Sequence, residues 1–111
     1  RTEQAILADC ALEIAQLTGS CELVELGSGS SRKTRLLLEA YDQLNDQLQY
    51  CPIDVSAGML KTTAIELLGL YPKLKLCGLA GTYEQALAQL PPAELENRML
   101  IFLGSTIGNL N

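Results

Sequence analysis

The sequence predicts an open parallel α/β sheet with helices packed on its faces. Three observations predict it. Helical and extended patterns alternate along all 111 residues: a helix, then strand and helix three times, then a final strand. The first strand runs directly into a glycine cluster, as strand-to-helix turns do in such sheets. The last extended run, Met99-Leu100-Ile101-Phe102-Leu103, is apolar throughout and is expected to be buried on both faces.

The first helix is expected over Arg1–Thr18, with Leu7, Cys10, Ile14 and Leu17 three or four apart on an inward face and Gly19 as its stop. Cys21–Leu26 reads as the first strand. A second helix is expected from about Ser31 to Leu44, with Leu37, Leu38, Tyr41 and Leu44 inward, closed by a turn at Asn45-Asp46. Tyr50–Val55 is the second strand. Pro52 cannot donate to a ladder, so it is expected near the strand's start or at an irregularity. Ser56 is a good N-cap for a third helix over Ala57–Leu70, and Tyr71-Pro72 ends it. Leu74–Leu79 is the third strand. Thr82 and Gln85 have capping-box spacing and open a short helix through Leu90, followed by the Pro91-Pro92 loop.

Right-handed crossovers give the strand order 3-2-1-4. That order puts the most apolar strand at an edge, where it is an aggregation hazard. Further strands are therefore expected beyond it, and a chain that opens on Arg1 without Met is expected to be part of a longer protein. Exposed sheet edges also make dimerisation an expectation.

Composition excludes several functions. Hydrophobic residues are 48% of the chain and charged residues 19%, which is the composition of a folded domain. The net charge of −5 disfavours nucleic acid, and the one dense basic run, Arg32, Lys33 and Arg35, reads as a solvated helix start. No histidine is present, so a Ser-His-Asp triad and histidine acid–base chemistry are excluded within this chain. Cys10, Cys21, Cys51 and Cys77 are widely and irregularly spaced, with no C-x-x-C pair. They read as reduced, small apolar residues of a cytoplasmic protein, and a metal site is not expected. No apolar run approaches the ~20 residues of a membrane span, and no signal peptide is visible.

The chemistry lies in Val24-Glu25-Leu26-Gly27-Ser28-Gly29-Ser30-Ser31. Gly27 permits a tight turn, and Gly29 removes a side chain where a ligand approaches the backbone. Ligands in such sheets bind beyond the carboxyl ends of the strands, where the strand order reverses. A dinucleotide fingerprint needs Gly or Ala at the sixth position of this motif, which is Arg32, and a phosphate-binding P-loop needs a Gly-Lys-Ser/Thr that is missing. Glu25, two places before the first glycine, is instead characteristic of methyltransferases. A carboxylate there suits the ammonium and sulfonium of S-adenosylmethionine and would repel a pyrophosphate; the alternative is that Glu25 pairs with Lys33 or caps a helix. Asp54, at the end of the second strand, can accept from both hydroxyls of a ribose, or else cap the following helix with Ser56. In the terminal loop, Gly104 and Gly108 allow bending. The Asn109 carboxamide can hold an amine substrate by its N–H, or simply satisfy loop backbone. Methyl transfer needs mainly alignment, and an α-amino group titrating near ~8 needs no strong base, so no acid or base is assigned.

Taken together, Val-Glu-Leu-Gly-Ser-Gly-Ser-Ser-Arg-Lys-Thr-Arg (24–35), Pro-Ile-Asp-Val-Ser (52–56) and Phe-Leu-Gly-Ser-Thr-Ile-Gly-Asn (102–109) resemble the histidine-specific Nα-methyltransferases of ergothioneine biosynthesis, and Arg1-Thr2-Glu3 resembles that family's approach to its first core helix. The resemblance covers nearly the whole chain. It implies a Rossmann-like class I methyltransferase core, of which residues 1–111 form the partial S-adenosylmethionine-binding domain, and trimethylation of the histidine α-amino group to hercynine. It implies cofactor contacts at Gly27, Lys33 and Asp54, with Ser28 and Gly29 in the same loop, and a substrate contact at Asn109. One departure stands out: the family has an Asp-Phe pair at the adenine, and the matching residues here are Thr82-Tyr83. Thr82 offers a weaker hydrogen bond there, and Tyr83 a ring to pack on the base. The family's histidine pocket also draws on regions outside residues 1–111, so this chain alone is expected to be inactive. The alternatives are a methyltransferase for another amine, which the Thr82 departure keeps open, and a non-enzymatic module, against which Gly27, Gly29, Asp54 and Asn109 speak.

Overall fold

The computed structural model describes residues 3–29, 31–92, 94–95 and 97–102, with side chains from residue 10 onward. The elements run α1 (Glu3–Thr18), β1 (Cys21–Leu26), α2 (Thr34–Leu44), β2 (Leu48–Asp54), α3 (Ala57–Leu70), β3 (Leu74–Leu76), β4 (Leu79–Ala80), α4 (Tyr83–Gln89) and β5 (Asn97–Ile101). Every pairing between these strands is parallel, and the sheet order is β3-β2-β1-β5, with β4 also on β2. This is the expected 3-2-1-4 order, with the third predicted strand split in two.

The split answers the question that Pro52 raised. Pro52 lies inside β2, opposite Glu25 of β1. On its other side, Tyr50 O accepts from Cys77 N at 3.1 Å and Asp54 O from Gly81 N at 3.1 Å, so alternate residues of β2 face β3 and β4. Pro52 belongs to that alternate set and has no N–H to offer. The ladder is interrupted there: β3 ends at Leu76, and β4 resumes at Leu79.

Alternation along the strands sorts side chains to two faces. Cys21 and Leu23 of β1 with Leu48 and Tyr50 of β2 meet Ala11 and Ala15 of α1, Leu37, Leu38 and Tyr41 of α2, and Leu67 of α3. Val24, Cys51 and Ile53 point the other way and meet Ala86 of the short α4. Among the described residues, three helices thus cover one face and one short helix the other.

Several expectations are corrected. Leu17 is 81% exposed, because α1 turns its Ala11 and Ala15 side inward; small side chains let it sit close against α2. Leu44 also faces outward, at the last position of α2. That helix begins at Thr34, three residues later than its pattern suggested, because Ser31 is left-handed and a turn intervenes. β5 spans Asn97–Ile101, and Leu100 is 56% exposed, so the strand is not buried on both faces. The expected Leu103 end of that strand lies outside the described residues.

The helix ends follow their local chemistry. Gly19 adopts φ +65° and donates to Ala15 O at 3.0 Å, closing α1. The Ser56 hydroxyl accepts from Met59 N at 3.1 Å at the start of α3. Ser56→Ala is expected to cost about 1 kcal/mol, read as a lower urea midpoint at unchanged slope. All four cysteines are free thiols; Cys21 and Cys51 are buried, Cys10 is half-buried and Cys77 is exposed. Burial pushes the Cys51 thiol up to about 12, as suits an inert apolar filler. No helix of the described residues is long and apolar enough to cross a membrane.

Candidate functional site

The site forms where β1 and β2 end side by side. Their register pairs Leu26 with Ile53, which brings Gly27 level with Asp54. The chain then turns sharply: Gly27 N and Ser28 N both donate to Ile53 O, at 2.8 and 3.1 Å. Gly27 and Gly29 adopt φ of +68° and +53°, conformations that glycine takes without a side-chain penalty. A Cβ on Gly29 would meet nothing within 4 Å, so that flank of the loop is open.

Asp54 organises the rim. Its Oδ2 accepts from Gly29 N at 2.8 Å and its Oδ1 from Ser56 N at 3.0 Å. The carboxylate therefore ties the glycine loop to the turn that opens α3. Each carboxylate oxygen has two lone pairs, so each retains a site for a further donor. The capping alternative and the ligand role are thus compatible at Asp54. Beside it lies a cavity of about 290 Å³ lined by Gly27, Asp54, Val55, Thr82 and Tyr83. That volume is near the lower end of the roughly 300–1,000 Å³ of small-molecule sites. Val55, 75% exposed, supplies apolar surface that the sequence reading had not singled out.

The far wall is the start of α4. Thr82 forms both halves of the expected capping box: its hydroxyl accepts from Gln85 N at 3.2 Å, and Gln85 Oε1 accepts from Thr82 N at 3.1 Å. The Thr82 hydroxyl keeps its proton for a further acceptor. Gly81 adopts φ +136°, a conformation that side-chain-bearing residues rarely take, and a Cβ there would lie 2.9 Å from Gln85 Oε1 and displace that end of the capping box. The Tyr83 ring meets Phe102 edge-on, with centroids 5.8 Å apart.

Glu25 sits deeper than a ligand contact would suggest. It is 1% exposed, and its Oε1 accepts from Tyr50 OH at 2.6 Å and from the Thr34 hydroxyl. Tyr50 OH also shares a 2.6 Å hydrogen bond with Ser31 Oγ. Burial first, and then the adjacent Glu25 carboxylate, push the Tyr50 phenol well above its usual range, so it stays a fixed donor. Thr63 of α3 donates to Gly29 O at 3.4 Å. Ser31, Thr34, Tyr50 and Thr63 were missed from sequence; their only signal is polar side chains at positions that patterning marks as inward. Lys33 is the N-cap residue of α2, half-buried and engaged within the protein. Arg35 pairs with Glu66 at 3.0 Å, in keeping with a solvated helix start. Ser28 Oγ is buried without a partner among the described residues, an unsatisfied polar group within the glycine loop. Asn109 lies outside the described residues. No cluster of three or more His, Cys, Asp or Glu among the described residues could hold a metal.

One cavity thus brings together a carboxylate, apolar side chains and a glycine turn, a set of groups that can take a polar ligand with an apolar ring. Residues 1–111 match a family described as histidine-specific methyltransferase, SAM-dependent. Histidine N-alpha-methyltransferase of Mycolicibacterium smegmatis is 40% identical over 99% of this chain and 34% of its own length. The Mycobacterium tuberculosis protein of the same name is 38% identical over 99% of the chain and 34% of its own length. Ergothioneine biosynthesis protein 1 of Neurospora crassa is 38% identical over 98% of the chain and 13% of its own length. The chain thus spans about a third, or less, of the relatives it matches. Its residues, fold and matches make it a member of the SAM-dependent, histidine-specific methyltransferase family.

Proposed function

We propose that this chain is the cofactor-binding part of a cytoplasmic enzyme that methylates the α-amino group of histidine to hercynine, in ergothioneine biosynthesis. The observation that carries the reading is Asp54, held by Gly29 N and Ser56 N beside a cavity floored by the glycine turn. S-adenosylmethionine, when bound, supplies an electrophilic methyl group on a sulfonium. Asp54 accepts the ribose hydroxyls. Gly27, Ser28 and Gly29 let the backbone approach, and the unsatisfied Ser28 hydroxyl gains a partner. Val55 and Tyr83 face the base, to which Thr82 donates its remaining proton. Glu25 and Lys33 set the charge around the loop, and Asn109 holds the substrate amine by its N–H. Alignment, not acid–base chemistry, is the contribution of these residues.

Calorimetric titration with S-adenosylhomocysteine tests the cofactor half on this chain. One-to-one binding is expected, and no heat at millimolar ligand would overturn it. The substrate half is tested in a protein of the relatives' full length, where histidine is expected to tighten cofactor binding. Indifference to histidine would point to another amine. The chain alone is expected to form no hercynine.

A further inference from the structure

The glycine loop is held from β2 at several points. Its start rests on Ile53 O, through Gly27 N and Ser28 N. Its middle rests on Asp54, through Gly29 N. Its end rests on Tyr50, whose hydroxyl lies 2.6 Å from Ser31 Oγ. Ser31 is the residue most in need of a hold. It has φ +57°, the one described residue other than glycine at positive φ, and such strain persists only where the surroundings enforce it. Its N–H donates to Ser28 O at 2.9 Å, and its side chain is buried.

We propose that Tyr50 is a positioning residue for the cofactor loop: bonded to Glu25 below and Ser31 above, it fixes the left-handed Ser31 and thereby helps hold Gly27, Ser28 and Gly29 in place. The direction of the hydrogen bonds supports this. A phenol has one proton, and Tyr50 gives it to the Glu25 carboxylate, which itself only accepts. Tyr50 oxygen must then accept from Ser31, so the Ser31 hydroxyl can point one way only. Thr34, in the first turn of α2, donates to the same Oε1 and ties the helix start to the same centre. A buried carboxylate that orients a phenol, which orients a strained serine, is a chain of hydrogen bonds, charge-assisted at the carboxylate, among buried side chains. The claim rests on the cofactor reading for its functional meaning, but the loop geometry it explains is independent of any ligand.

The test uses Tyr50→Phe, Ser31→Gly and, as a control, Leu48→Val, a core truncation at the opposite end of β2 that should lower stability without touching the loop. Two quantities are read: the S-adenosylhomocysteine dissociation constant and the amide exchange rates of residues 27–31 without ligand. Tyr50→Phe is expected to weaken binding roughly tenfold and to speed loop exchange. Ser31→Gly is expected to weaken binding in the same way with no loss of melting temperature, since glycine takes positive φ freely. It keeps the idea testable if Tyr50→Phe does not fold. Leu48→Val should bind as the original chain does. Binding within twofold of the original in both loop variants, with unchanged exchange, would overturn the proposal. If the unaltered chain binds no S-adenosylhomocysteine, the cofactor reading falls; faster loop exchange in Tyr50→Phe would then still uphold Tyr50 as the anchor, and unchanged exchange would remove it.

Discussion

Asp54→Ala is expected to weaken S-adenosylhomocysteine binding about a hundredfold, or roughly 2.7 kcal/mol. Two losses combine. The ribose loses an ionised acceptor, and hydrogen bonds to charged groups are worth about 1.5–3 kcal/mol each. The loop loses its central tie, because Gly29 N and Ser56 N both donate to this carboxylate, at 2.8 and 3.0 Å. Asp54→Asn is expected to recover only part of the affinity. One carboxamide terminus is an acceptor, but the other is a donor and must face a backbone N–H or the ribose. Calorimetric titration measures both variants. A dissociation constant within threefold of the original for Asp54→Ala would remove Asp54 from the cofactor site and leave it a cap for the turn into α3.

Glu25→Ala is expected to lower folding stability by about 3 kcal/mol, a large share of the roughly 5–15 kcal/mol of a domain this size. Two hydroxyls, of Thr34 and Tyr50, donate to its buried Oε1. Removing the acceptor takes this partner from Thr34 and leaves Tyr50 with Ser31 alone, where an unsatisfied buried group costs roughly 1–3 kcal/mol, and it opens a new cavity in the core. Urea unfolding should show a lower midpoint. Glu25→Gln retains an acceptor for the two hydroxyls and should cost about 1 kcal/mol. The glutamine variant also separates two roles. If Glu25 serves the cofactor through its negative charge, Glu25→Gln binds S-adenosylhomocysteine markedly more weakly at nearly native stability. If Glu25 serves only the loop's foundation, affinity follows stability and stays near the original. Near-native stability of Glu25→Ala would contradict the buried network itself.

The two variants differ in what sequence could say about them. Asp54 is legible because its meaning is local: a carboxylate at the end of an extended run, just before a helix cap, stands at the rim of any such sheet. The glycine turn after β1 is legible for the same reason, and so is the capping box of Thr82 and Gln85, whose two bonds form as their three-residue spacing requires. Glu25 is legible as an acidic residue before a glycine but not as a buried one. Its burial depends on Tyr50, 25 positions away, and no pattern within either segment encodes that meeting.

By itself the sequence determined the order of the elements, the parallel sheet, its strand order, the glycine loop beside Asp54, and a family resemblance that the wider comparison bears out. Periodicity, capping and turn chemistry act over a few residues, and short right-handed crossovers leave few ways to arrange what they produce. Tertiary structure alone decided which side of α1 is buried, why the strand after α3 breaks opposite Pro52, how exposed Leu100 is on β5, and that Ser31, Thr34 and Tyr50 gather around Glu25. These outcomes depend on strand register and on how closely helices approach the sheet. Both are set by the sum of many distant contacts, in which a shift of one residue in β2 would turn Tyr50 to the opposite face.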